Sequence, residues 1–202
     1  SKEALKIALY RIVFEEFLIL QLGLFMFKNG TTEVEGIKFN RDENLDNILK
    51  ALPFKLTNAQ NRALNEIIED MQSNKVMNRL VQGDVGSGKT VVALLALANC
   101  VLNGYQGALM APTEILAEQH YISLSETLKP FGMEIELLVG SLTKKQKEKV
   151  LERVKNKEID ILIGTHALIE DKVEFNNLGI VITDEQHRFG VRQRSKLSEK
   201  GI

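Results

Sequence analysis

Eight consecutive residues constrain this chain more than any others: Gly83-Asp84-Val85-Gly86-Ser87-Gly88-Lys89-Thr90. They fit the pattern G-x-x-x-x-G-K-(S/T), whose glycines let the backbone curl until successive N–H groups face one concavity sized for a phosphate. A helix that starts at the loop's end adds its partial positive charge to that concavity. The pattern assigns Lys89 to the β- and γ-phosphates of a nucleotide such as ATP, and the Thr90 hydroxyl to a bound Mg²⁺. A loop of this kind operates only between a strand and a helix, so the chain is expected to be α/β.

The flanking sequence agrees. Arg79 to Gln82 reads as a short strand and Lys89 to Asn103 as a helix. Gly107–Ala111, Glu134–Val139, Asp160–Gly164 and Gly179–Thr183 follow as strands, separated by helices at Glu114–Lys129 and Thr143–Lys155 and one helical turn after Gly164. Continuous apolar runs such as Ile161-Leu162-Ile163 and Ile180-Val181-Ile182 mark strands covered on both faces. That predicts a mainly parallel sheet between helices, whose ligands gather at the carboxyl ends of the strands. Gly83–Thr90, Pro112–Thr113, Gly140–Ser141, Thr165–His166 and Asp184–His187 all fall there.

Asp184 and Glu185 close the last apolar strand. With a phosphate loop on a neighbouring strand, Asp184 is placed to hold the Mg²⁺ shell and Glu185 to orient the attacking water. Gln60 has two readings. It stands three residues after Thr57, the partner position of a capping box, and an amide upstream of a phosphate loop also matches the donor–acceptor edge of adenine. Phe54 either lies against the base or belongs to the core.

Residues 1 to about 28 read as one apolar helix, in which Leu5, Leu9, Ile12 and Ile19 recur at helical spacing. Its most apolar run, Phe17–Phe27, is too short to span a bilayer and abuts Glu15–Glu16, so it is read as a helix packed on protein. Gly30–Asn44 reads as a linker, followed by a short helix near Leu45–Leu52. The net charge of −1 supplies no global attraction for nucleic acid, so any such contact must come from local groups. A single cysteine, Cys100, excludes an internal disulfide and a multi-cysteine metal site, fits a cytoplasmic setting, and is read as a small buried hydrophobe.

These residues also carry a family resemblance. Gly83–Thr90 (GDVGSGKT), Ala111–His120 (APTEILAEQH), Gly164–Ile169 (GTHALI) and Asp184–Arg194 (DEQHRFGVRQR) resemble the motifs of superfamily-two helicases. More narrowly, they resemble the RecG family of bacterial ATP-dependent helicases, which remodel branched DNA such as stalled replication forks and Holliday junctions. Leu52–Gln60 (LPFKLTNAQ) resembles that family's adenine-recognition segment, and the likeness covers nearly all of residues 50–194. The transcription-repair coupling factor, a double-stranded DNA translocase, is the alternative; its loop typically has tyrosine where Ser87 stands, and a different acidic box.

The resemblance implies that residues 51–202 form the first RecA-like motor domain and residues 1–50 a helical linker following a wedge domain. It implies that Thr113, Gly140, Ser141 and Thr165 face a DNA phosphate backbone, and that Gln186 and His187 couple nucleotide state to DNA. Val139 departs from the family, which usually has threonine there, and puts one phosphate contact in doubt. Arg188, Phe189 and Arg192 either touch DNA or form a solvated loop. A second RecA-like domain carrying the hydrolysis arginines is expected beyond Ile202. By itself this first half is then expected to bind ATP–Mg²⁺ weakly, to hydrolyse it slowly if at all, and not to unwind DNA.

Overall fold

The computed structural model describes residues 2–31 and 35–185, and the side chains among them except those of residues 27–31. Among these residues six helices, α1 (Lys2–Thr31), α2 (Asn44–Ala51), α3 (Asn58–Gln72), α4 (Lys89–Leu102), α5 (Glu114–Leu128) and α6 (Lys144–Lys155), accompany four strands, β1 (Gln106–Met110), β2 (Ile135–Leu138), β3 (Ile161–Gly164) and β4 (Leu178–Thr183). The strands form one sheet in the order β2-β3-β1-β4, and every pairing is parallel.

Strand alternation divides the core. Leu109, Ile135, Ile161, Ile163 and Ile180 face a cluster shared with α2, α3, α4 and α5. Met110, Leu138 and Leu162 face the opposite side, under α6 and the 3-10 turn His166–Ile169. Both faces are therefore covered, as the continuous apolar runs require. Gln106 is buried at the start of β1 with its amide fully used. Its Nε2 donates to Val154 O at 2.9 Å and Ile159 O at 2.7 Å, and its Oε1 accepts from Asn176 N at 2.8 Å. One polar residue thus joins the end of α6 to the entries of β3 and β4. Cys100 is buried as expected, and burial pushes its thiol up to about 12.

Three expectations are corrected. Arg79–Gln82 forms no strand among the described residues. Arg79 is instead drawn to α3, pairing with Glu66 and Asp70 at 2.6 Å each. The linker reading fails from residue 36 onward: Gly36 and Phe39 bond to the end of α3, and Phe39 is buried edge-on against Tyr105. Leu45 and Ile48 of α2 then enter the same core, because an amphipathic turn beside α4 has an apolar surface to meet. Finally α1 is a helix but is not packed: Leu5 is 70 % and Tyr10 77 % exposed, and no surface among the described residues covers it. Among the described residues no helix is long and apolar enough to cross a membrane.

Candidate nucleotide and nucleic-acid site at the carboxyl edge of the sheet

Gly86 (φ 79°) and Gly88 (φ 77°) lie in the left-handed region, which a side chain at either position would strain. The second hands the chain into α4, where Val91 N bonds to Gly88 O. Lys89 opens that helix and curls back, its Nζ donating to Gly83 O at 2.8 Å and Asp84 O at 2.9 Å. Its ammonium is thereby held inside the loop's concavity. Val85 and Ser87 lie exposed on the loop, and Thr90 follows Lys89 in the first turn of the helix.

Gln60 takes up the first of its two readings, the capping box, and adds a contact that neither reading contained. The capping box is complete: Oε1 accepts from Thr57 N at 2.8 Å, and Thr57 Oγ1 accepts from Gln60 N at 3.2 Å. The amide's other end, Nε2, donates to Ser87 O at 2.9 Å. Gln60 therefore ties the start of α3 to the phosphate loop, and a Cβ placed on Gly88 would collide with that same Nε2. Phe54 stays out of the core, 52 % exposed at the entrance to α3.

Asp184 follows β4, with its backbone N–H bonded to Met110 O of β1 at 2.9 Å. His120 Nε2 lies 2.8 Å from Asp184 Oδ2, and Glu185 N donates to Oδ1 at 2.9 Å. The His120 bond and, more weakly, the Lys89 charge hold the half-buried carboxyl below its usual range. Glu185 adopts φ 47°, a left-handed conformation uncommon outside glycine, at the turn where the strand ends.

Further along the rim, Thr113 caps α5, its Oγ1 accepting from Leu116 N at 3.3 Å; a hydroxyl used this way keeps its own hydrogen to donate. Gly140 and Ser141 are exposed on the loop after β2. Glu114 Oε1 accepts from Ser141 N at 3.2 Å, and Lys147 Nζ donates to Gly140 O at 2.7 Å. The Ser141 hydroxyl, the Gly140 and Ser141 amides and the Lys147 charge hold the Glu114 carboxyl below its ordinary range. Val139 is buried, so that position contributes packing rather than a polar contact. Thr165 differs from the rim hydroxyl expected of it: it is 3 % exposed, and its Oγ1 is buried without a hydrogen-bond partner. Gln186, His187, Arg188, Phe189 and Arg192 lie outside the described residues.

Sequence reasoning passed over His120, Glu114 and Lys147. For His120 a signal existed: it falls in step with Ala117, Leu124 and Leu128 on the buried face of α5, where a polar side chain requires a partner. Glu114 and Lys147 gave none, since charged residues in a first helical turn are ordinary.

A profile of the DEAD/DEAH box helicase family matches residues 57–201. The chain is 55 % identical over 203 residues to the ATP-dependent DNA helicase RecG of Bacillus subtilis, covering 100 % of this chain and 30 % of that protein. It is 50 % identical over 192 residues to RecG of Thermotoga maritima, covering 95 % of this chain and 25 % of the relative. A solved structure of RecG bound to a three-way DNA junction superposes with a TM-score of 0.81 at 49 % identity, over 88 % of this chain and 24 % of that one. The UvsW helicase of bacteriophage T4 shares the fold alone, with a TM-score of 0.61 at 16 % identity over 91 % of this chain and 66 % of that one. This chain therefore spans less than a third of the curated relatives it matches.

Proposed function

Because the chain belongs to the DEAD/DEAH box helicase family, we propose that it is the first RecA-like motor half of a RecG-type ATP-dependent helicase that remodels branched DNA. What supports this reading is the sequence Gly83–Thr90, whose two left-handed glycines lead into α4 with Lys89 curled back onto the loop, together with Asp184 at the carboxyl end of β4. A polyphosphate with its metal requires both a cationic loop and a carboxylate, and Lys89 and Asp184 supply those two charges in this reading.

In this reading the glycine-built amides of Gly83–Gly88 receive the phosphate oxygens, and Lys89 turns from the loop carbonyls to the β- and γ-phosphates. Thr90 and Asp184 supply oxygen donors suited to Mg²⁺, which takes few protein ligands and keeps several waters. That ion would screen the charge that develops between the phosphates. Glu185 is placed beside Asp184 to orient the attacking water. Phe54 offers an exposed ring to the base. Gln60 contacts the adenine edge only by exchanging its bonds to Thr57 and Ser87, which makes base recognition and loop shape interdependent.

Thr113, Gly140 and Ser141 present a hydroxyl and backbone amides along the adjoining rim. Small donors of this kind grip phosphates without reading bases. Thr165 joins them only if its hydroxyl moves outward. Full turnover and strand separation then draw on a second RecA-like domain and a wedge domain of the same protein, and the buried, reduced Cys100 accords with a cytoplasmic setting.

Calorimetry with ATP and Mg²⁺ tests the reading. Lys89→Ala should abolish measurable binding by the folded chain, whereas unchanged affinity would remove the phosphate loop from its assigned role.

A further inference from the structure

His120 of α5 reaches the acidic end of β4. It is buried among Ala117, Leu124 and Leu128 on the inner face of that helix, which restricts its ring to few orientations. An ionised carboxylate only accepts hydrogen bonds, so the proton between Nε2 and Asp184 Oδ2 belongs to the imidazole. The Glu185 amide holds the other oxygen, Oδ1. Both oxygens are thus tethered, one by a neighbour in sequence and one by a residue 64 positions away. The first tether moves with the turn; the second fixes that turn to α5.

We propose that His120 is a positioning residue: it sets the direction of the Asp184 carboxylate toward the metal of the nucleotide site and anchors it to α5. This rests on the reading that Asp184 is a metal ligand. The helix adds a consequence, because α5 begins at Thr113 and Glu114, which stand at the nucleic-acid side of the rim. A displacement of its first turn is carried along a rigid helix to the carboxylate two turns later. Partners that orient a ligating side chain are typically worth about 10–100-fold in metal affinity.

The test is Mn²⁺ affinity, read by electron paramagnetic resonance on the chain saturated with a non-hydrolysable ATP analogue. His120→Phe keeps the ring's bulk and removes the donor. It should weaken Mn²⁺ by about 10–100-fold and leave analogue affinity without metal unchanged. His120→Gln, whose amide N–H reaches as far as Nε2, should recover most of the loss; His120→Asn, one methylene shorter, should not. The Asn and Gln pair keeps the test decisive should the Phe variant fail to fold. In an Asp184→Asn background the His120 substitutions should add little, since both remove one interaction. Wild-type Mn²⁺ affinity in folded His120→Asn or His120→Phe overturns the inference. So does a loss that His120→Gln fails to recover, which marks a purely structural histidine. If the unaltered chain binds no analogue, the proposed function fails instead; if it binds and Lys89→Ala abolishes that binding, the function stands whatever His120 does.

Discussion

The two stretches of the sheet's carboxyl rim are built differently. On the nucleotide side, shape is fixed by two left-handed glycines, by the Gln60 bridge to Ser87, and by the His120–Asp184 bond, which is partly withdrawn from water. On the side proposed for nucleic acid, the loop after β2 is held from outside by Glu114 and Lys147, groups that compete with solvent and ions. The first arrangement suits a site that must hold one polyphosphate in one pose. The second suits a grip that has to form and release as a strand passes.

From this contrast, damage to the first side should be costly and damage to the second mild. The largest effect is expected from Gly88→Ala, which imposes a side chain on a left-handed residue and drives it into Gln60. Denaturant melts should show a loss of about 1–2 kcal/mol from the backbone alone, accompanied by weakened ATP binding; an unperturbed melt with full binding would show the loop to be malleable. Next comes Gln60→Ala, which removes the capping box and the bridge to the loop together. It should cost about 1 kcal/mol, and hydrogen exchange at Ser87 and Gly88 should speed up relative to the rest of α4. No change at those amides would separate the cap from the loop.

On the other side, Glu114→Gln removes a negative charge that occupies the very amides proposed for DNA. Stability should change by no more than about 0.5 kcal/mol. Affinity for a short single-stranded oligonucleotide should rise a few-fold at low salt, with the gain fading as salt screens it. Weaker binding would mean that Glu114 shapes the loop rather than competing for it. The smallest signal is a titration. Because the Glu114 carboxyl is held below its ordinary 4.5, its clasp on Ser141 is complete above that value and is lost only as pH falls through the lowered one. The Ser141 amide proton, followed by NMR, should therefore shift with a midpoint below 4.5, and a midpoint at or above that value would deny the clasp.

Much of this was legible in the residues. The parallel sheet announced itself in Ile161–Ile163 and Ile180–Ile182, because strands buried on both faces have no polar alternation. Thr57 and Gln60 spelled a capping box that the fold contains. The phosphate loop follows from glycine chemistry, and the place of Asp184 at the carboxyl end of β4 follows from the apolar run before it. Long-range polar contacts were not legible: the reach of His120 to Asp184 spans 64 positions, and no local pattern encodes it. The extended run before the loop was misread because Leu80 and Val81 suggest a strand, while Arg79 is pulled away by acids on α3. In α1 the pattern gives a helix correctly but carries no information about what covers it.

The central claim is that the phosphate loop and Asp184 enclose one metal–nucleotide site. Mn²⁺ bound with a non-hydrolysable ATP analogue offers the most direct test, through the paramagnetic broadening it imposes on nearby resonances. The signals of Gly86–Thr90 and Asp184 should vanish together on a single binding curve. Broadening centred away from Thr90, or reaching the loop but sparing Asp184, would contradict the account.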